Sequence, residues 1–268
     1  MNHLDLPQPV HSVDFLNQFL VAYTRNVPWE SATRNVRRVE RTAPSGDVDQ
    51  CPRWPDEFWT LALADKTGGT CFETNLALFS MLQLLGFDCY LTINNMVESI
   101  GCHTAIVILL DGEKWLFDAG YPLECMIPLH SEKASDIKGK YLDYHATPLE
   151  GGNYEITRSR HPKPYIFTLI DQPVSVEEYK RATAEDYRPE GNFNAAVVIN
   201  KIVDEKMIRF STRPDDLLFE AFTADPEGGL ALREEIPVEE DLAAQLANLF
   251  DMPEATLVQA LEIVQHER

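Results

Sequence analysis

Thr67-Gly-Gly-Thr-Cys-Phe-Glu-Thr-Asn75 is where a glycine-rich turn meets an apolar run that ends at Leu85-Gly86. Thr70-x-x-Glu73 fits a capping box, with Thr70 as N-cap and Glu73 at the third helical position. That spelling predicts an amphipathic helix over 71–85, with Leu76, Phe79, Leu82 and Leu85 as its apolar stripe and Gly86 as its stop. Cys71 becomes the first helical residue, beside unpaired backbone N–H groups and the positive end of the helix dipole. Such a position favours thiolate over thiol, and the thiolate is the nucleophile. Gly68 and Gly69 permit a tight backbone approach and leave space in front of the sulfur. The competing reading is a buried cysteine that only packs.

A partner for the thiol follows from counting. Cys102-His-Thr-Ala-Ile-Val-Ile-Leu-Leu110, Asp111-Gly112 and Glu113-Lys-Trp-Leu-Phe-Asp118 read as a hairpin, because Asp-Gly between apolar runs signals a two-residue type I′ turn. Position 110 then pairs with 113, and every cross-strand pair sums to 223. His103, Ala105 and Asp118 project to one face. His103 and Asp118 become diagonal neighbours, roughly 7–8 Å apart at the backbone. There His103 takes the Cys71 proton, and Asp118 fixes the tautomer and stabilises the imidazolium. Segment 94–102 reads as a loop, so counting leaves the distance from Cys71 to the pair open.

On either side the texture differs. Up to Gly86 the chain reads helical, with Phe15, Phe19 and Ala22 at helical spacing and Pro28, Pro44, Pro52 and Pro55 as breaks. From Phe87 to Asp171 come short β-branched and aromatic runs at 90–93, 104–110, 115–117, 154–157 and 165–170. A short helix over 174–184, a strand pair at 194–203 and 207–212, and closing helices over 238–250 and 253–264 complete an α, then β, then α+β plan.

The whole chain has 268 residues, 44% of them hydrophobic, enough for a sizeable core. Its 23 Lys and Arg against 43 Asp and Glu give a net charge of −20, which argues against nucleic acid and anionic membrane surfaces as partners. Sixteen acids and five bases lie from Asp204 onward, read as a solvated face. Five cysteines cannot all pair within one chain, and the opening residues lack a basic start followed by an apolar run, so a reducing cytoplasm is expected. No Cys-x-x-Cys or His-x-x-x-His spacing occurs, and no metal is expected.

At these residues the sequence resembles the arylamine N-acetyltransferase family. The matching segments are Gly68-Gly69-Thr70-Cys71-Phe72-Glu73-Thr74-Asn75, Leu85-Gly86-Phe87, His103-Thr104 and Asp118-Ala119-Gly120-Tyr121, with 15 positions from His103 to Asp118. Pro28-Trp29-Glu30 and Gly191-Asn-Phe-Asn194 add weaker likenesses. The chain departs from the family at Thr67, where Arg is usual, at Ser31, where Asn is usual, at Cys102, and in a Cys71–His103 interval of 32. The resemblance implies an α+β fold with a cysteine-protease/transglutaminase-like core. It divides the chain into a helical bundle over 1–86 carrying the nucleophile, an antiparallel β-barrel over 87–190 carrying His103 and Asp118, and an α/β lid over 191–268. It also implies a catalytic triad of Cys71, His103 and Asp118, acetyl-CoA as co-substrate without a metal, and ping-pong transfer to a small aromatic amine. The acceptor pocket would lie where the three units meet.

Two other classes remain open: a triad thiol hydrolase or amide-forming acyltransferase with another donor, and a non-catalytic module on the same fold. Arg34, Arg37, Arg38 and Arg41 share helical spacing, and the reading favours a solvated face with internal ion pairs over phosphate contacts. Gly228-Gly229 reads as a turn, His130, His145 and His161 as surface or loop residues, and Trp54 and Trp59 as packing residues. Glu73 is explained by the cap.

Overall fold

The computed structural model describes residues 4, 6–42, 46–120, 124–159, 165–213, 216–223, 225 and 232–266. Pro44, Tyr121, His161 and the Gly228-Gly229 turn lie outside the described residues. The first part of the chain holds α1 (Val13–Asn26), β1 (Trp29–Glu30), α2 (Ala32–Thr42), α3 (Pro55–Ala64) and α4 (Cys71–Leu84). Ser12 caps α1 by accepting the Phe15 N–H at 3.2 Å, and a proline opens α3. At the end of α4, Gly86 N–H reaches the Gln83 carbonyl and Phe87 N–H the Leu82 carbonyl, which ends the helix as the Leu-Gly signal predicts. The expected apolar stripe is not what α4 shows. Every residue from Cys71 to Phe79 is buried, because α3 covers one side of the helix and strands of the barrel cover another.

Those strands are β2 (Asp88–Met96), β3 (Ser99–Leu110), β4 (Glu113–Phe117), β5 (Ile127–Pro128), β6 (Ser135–Lys138), β7 (Asp143–Pro148), β8 (Tyr154–Ser159) and β9 (Tyr165–Leu169). They form one antiparallel sheet in the order β5-β4-β3-β2-β9-β8-β7-β6. The sheet curls until its edges meet, and Ser135 Oγ on β6 donates to the Pro128 carbonyl on β5 at 2.6 Å. The β3–β4 hairpin has the expected register, from Leu110↔Glu113 to Ile106↔Phe117. Asp111 and Gly112 both take positive φ (52° and 80°), as the type I′ turn requires. Segment 94–102 is not a loop. β2 and β3 pair through it, from Asn94↔His103 to Met96↔Ser99, with one irregularity. The short β5, β6 and β7 carry too little β-branched or aromatic signal to be read from sequence.

After α5 (Val176–Glu185) come β10 (Val198–Val203), β11 (Lys206–Arg213), β12 (Asp216–Thr223) and β13 (Leu232–Glu235), then α6 (Leu242–Phe250) and α7 (Glu254–His266). The second sheet runs β1-β10-β11-β12-β13, with Trp29↔Asn200 and Glu30↔Ile199 at its edge. Ala32 and Val36 of α2 share a core with Leu257 and Val264 of α7. So β1 and α2, early in the chain, are built into the terminal sheet-and-helix layer. β12 went unread because an apolar run of this length suits helix or strand equally. Among the described residues no helix is long and apolar enough to cross a membrane.

Candidate active site

Cys71 is the first residue of α4 and only 3% exposed, with Thr70 as N-cap. Its Sγ lies 3.8 Å from the Cys102 carbonyl oxygen, and its own carbonyl accepts from Thr104 Oγ1 at 3.0 Å. The glycines beside it allow the expected close backbone approach but are not what leaves space at the sulfur. A Cβ on Gly68 would lie 1.6 Å from the Pro28 carbonyl oxygen, and one on Gly69 would lie 3.0 Å from both Arg53 Nη2 and Glu73 Oε2. These two glycines let the turn settle against groups behind it. The glycine that makes room at the thiol is Gly120, where a Cβ would come 2.6 Å from that of Cys71.

His103 on β3 is 3% exposed, and Asp118, just beyond β4, is fully buried. His103 Nε2 lies 2.7 Å from Asp118 Oδ2, and Cys71 hydrogen-bonds the same ring. Burial opposes charge on the imidazole, but the Asp118 carboxylate and the Cys71 sulfur outweigh it and raise the His103 pKa to about 10. Asp118 Oδ1 accepts from Asn75 Nδ2 at 3.1 Å and from the Gly120 N–H at 2.8 Å. The carboxylate is thus held on both oxygens, which fixes the plane it offers to the ring. Cys71, His103 and Asp118, predicted from three separate segments, are brought together in one place.

Several neighbours were not foreseen. Asn75 sits one helical turn after Cys71 and donates to the Thr104 carbonyl as well as to Asp118, so its i+4 spacing was the available signal. The Tyr179 hydroxyl on α5 lies 2.8 Å from Thr104 Oγ1 and 2.9 Å from the Phe72 carbonyl, tying α5 to the start of α4. The capping box at Thr70 is not formed: Thr70 makes no side-chain cap bond. Glu73 instead accepts from the Arg53 N–H at 2.8 Å, from Arg53 Nη2 at 2.5 Å and from the Tyr187 hydroxyl at 2.7 Å. Burial pushes the Glu73 carboxyl up, but Arg53 and these hydrogen bonds carry it below its ordinary value. Thr67 Oγ1 is buried with no hydrogen-bond partner among the described residues, and the buried cation beside Gly68 is Arg53.

The arginine row on α2 makes the expected ion pairs but is not a solvated face. Arg34 is fully buried, 2.9 Å from Asp186 Oδ2 and stacked on the Tyr187 ring; Arg37 pairs with Glu57 at 2.8 Å, and Arg41 alone is exposed. Trp59 Nε1–H donates to the Ala77 carbonyl, and Trp54 packs on the first core. His145 lies on β7 beside its cross-strand neighbour Asp136, at 2.5 Å. Burial raises the thiols of Cys51 and Cys102, and pushes those of Cys89 and Cys125 up to about 12. Among the described residues no cluster of His, Cys, Asp or Glu is placed to hold a metal.

A cleft of about 520 Å³ lies between the β2–β3 turn and the end of α5, lined by Phe72, Gly101, Cys102, Ala182 and Asn192. It therefore touches the residue after Cys71 and the residue before His103. Where the helices, barrel and terminal sheet meet, the cavity beside Trp29, Ala119 and Tyr141 holds only about 20 Å³, room for one water.

A sequence model of the N-acetyltransferase family matches residues 12–252. No curated protein sequence matches the chain. The fold is similar to the arylamine N-acetyltransferase from Mycobacterium abscessus, with TM-score 0.76, 16% identity, and 98% of this chain and 93% of that one covered. It is also similar to the Mycobacterium marinum arylamine N-acetyltransferase solved in complex with CoA (TM-score 0.75, 13% identity, 98% and 97% covered). A third is an arylamine N-acetyltransferase from Bacillus cereus described as having a Cys-His-Glu catalytic triad (TM-score 0.69, 18% identity, 94% and 96% covered). At these identities the structural likeness establishes the fold.

Proposed function

We propose, since the chain belongs to the arylamine N-acetyltransferase family, that it carries an acetyl group from acetyl-CoA to a small arylamine, arylhydrazine or N-hydroxyarylamine through a thioester on Cys71. Membership makes it an acyltransferase. Cys71 gives its proton to His103, and the sulfur attacks the thioester carbonyl carbon. As the new C–S bond forms, the bond to the coenzyme A sulfur breaks, and that sulfur takes the proton from His103. The acceptor nitrogen then attacks the same carbon, its proton passes to His103, and the Cys71 sulfur leaves and recovers a proton. Asp118 orients the ring and balances its charge in both halves.

The observation that carries this reading is the His103–Asp118 contact of 2.7 Å on a ring that is itself hydrogen-bonded to the sulfur of Cys71. The cleft beside Phe72 and Cys102 supports an approach for the donor. The marinum relative solved in complex with CoA supports the choice of donor. Five free thiols are suited to a reducing cytoplasm. Mixing the protein with acetyl-CoA alone is expected to give a 1:1 acetyl adduct by intact mass. A Cys71→Ser protein that still gains that adduct would sink the proposal.

A further inference from the structure

Arg53 comes from the proline-rich connector Cys51-Pro-Arg-Trp-Pro55 and is 1% exposed. Its Nη2 donates to the Gly68 carbonyl at 2.7 Å and to Glu73 Oε2, and its Nε lies 3.3 Å from Glu73 Oε1. With the Tyr187 hydroxyl also on Oε1, both oxygens of Glu73 are occupied. Ser175 and Glu178 at the start of α5 fit the same Ser/Thr-x-x-Glu pattern as Thr70 and Glu73, and there the box closes in both directions. At α4 it does not, and the N-cap makes no side-chain bond. The difference is the buried guanidinium.

We infer that Arg53 is a positioning residue that draws the Glu73 carboxylate away from the start of α4, so that the first-turn N–H groups and their positive potential stay open to Cys71. A carboxylate folded back into the cap would cover one of those donors and set a negative charge beside the sulfur. Arg53 touches neither the thiol nor a substrate; it acts through Glu73. The inference rests on the reading of Cys71 as the acyl carrier. Around Glu73 stand Arg53 and Tyr187, with Glu30 and Asp186 farther off, and around Cys71 stand His103, Cys102 and Tyr179.

The test is the rate of Cys71 alkylation by iodoacetamide against pH, a reaction that needs no coenzyme A. In Arg53→Met the profile is expected to move to higher pH by about one unit, through the charge newly free to approach the sulfur. Its rate at neutral pH falls about tenfold in step. Arg53→Lys keeps a buried cation, and with it the fold, but cannot hold both carboxylate oxygens in one fork. It should shift the same way by less. The double variant Arg53→Met/Glu73→Leu removes both members of the pair, leaving Glu30 as the buried carboxyl farther off, and should return to the wild-type profile. Unshifted profiles in both Arg53→Met and Arg53→Lys overturn the inference, and so does an alkaline shift that persists in the double variant. Should Arg53→Met not fold, Arg53→Lys and the double variant decide. If wild-type protein takes no acetyl group from acetyl-CoA, the functional reading fails while this comparison still stands on its own readout.

Discussion

The starts of α4 and α5 share a Ser/Thr-x-x-Glu pattern and are built differently. At α5, Ser175 accepts the Glu178 N–H at 3.2 Å while Glu178 accepts the Ser175 N–H at 3.0 Å, on an exposed surface. At α4, Thr70 and Glu73 are buried; Thr70 Oγ1 lies 3.4 Å from Arg34 Nη1, and Glu73 belongs to Arg53 and Tyr187. A capping box is a local bargain between two side chains and four orphan N–H groups. In water nothing competes with it. In the interior a carboxylate needs a charge partner far more than a helix needs a cap, because an unpaired buried ion costs several kcal/mol against about one for a lost cap. The helix that gives up its cap is the one that presents Cys71. The ordinary α5 is exposed at its start, yet through Tyr179 it buttresses the same turn.

Damage should therefore grade from the polar shell of α4 down to the cap of α5. The largest effect belongs to Asp118→Asn, which leaves the shape but cannot hold the imidazole in the same tautomer or balance its charge. By analogy with the serine-protease triad, the acetyl-transfer rate should fall about 10⁴-fold. The sign of the pH effect follows from the raised His103. Its stabilising contribution is complete below the ordinary imidazole value near ~6.5 and is lost as pH rises through about 10. Thermal melts across that interval should lose stability in the wild type and be flatter in Asp118→Asn.

Next comes Glu73→Ala, which strands a fully buried Arg53. A loss of about 3–5 kcal/mol is expected in denaturant unfolding. A loss under about 1 kcal/mol, the scale of a helix cap, would mean that Glu73 is worth no more than Glu178 and would break the contrast.

What could be read in the sequence was whatever is local in sequence or fixed by a tight turn. Asp111-Gly112 sets the register of β3 on β4, so His103 and Asp118 fall on one face by counting. Cys71 was placed at a helix start by a Thr70–Glu73 capping box that does not form, so the position was right and its reason was not. Arg53, Tyr179 and Tyr187 reach the site from other parts of the chain through connections whose paths no periodicity fixes. The arginines of α2 show the same limit: helical spacing puts them on one face but cannot say that the face meets Asp186 and Tyr187. Asn94 and Gly101 suggested a loop because polar and glycine residues usually do, yet here Asn94 is buried and its Oδ1 accepts the Ile170 N–H within the barrel.

The smallest effect tests the other side of the contrast. Ser175→Ala removes the hydroxyl and hydrogen-bonding partner of Glu178 but nothing near the thiol, so it should cost about 1 kcal/mol and leave the acetyl-transfer rate unchanged. Its sharper readout is the titration of Glu178 itself. The Ser175 N–H and hydroxyl hold that carboxyl below its ordinary value. Followed by NMR, Glu178 should therefore titrate at higher pH in Ser175→Ala. The sign for stability is that of a lowered carboxylate: its support is present above the ordinary value and fades as pH falls through the lower folded one. Glu73 is lowered as well, chiefly by the buried Arg53 guanidinium with the Arg53 amide and the Tyr187 hydroxyl and by nothing from Ser175, so Ser175→Ala should leave its titration where it was. Movement of both together would mean that the two helix starts are coupled through Tyr179, and that the exposed cap helps to set the geometry of the buried one.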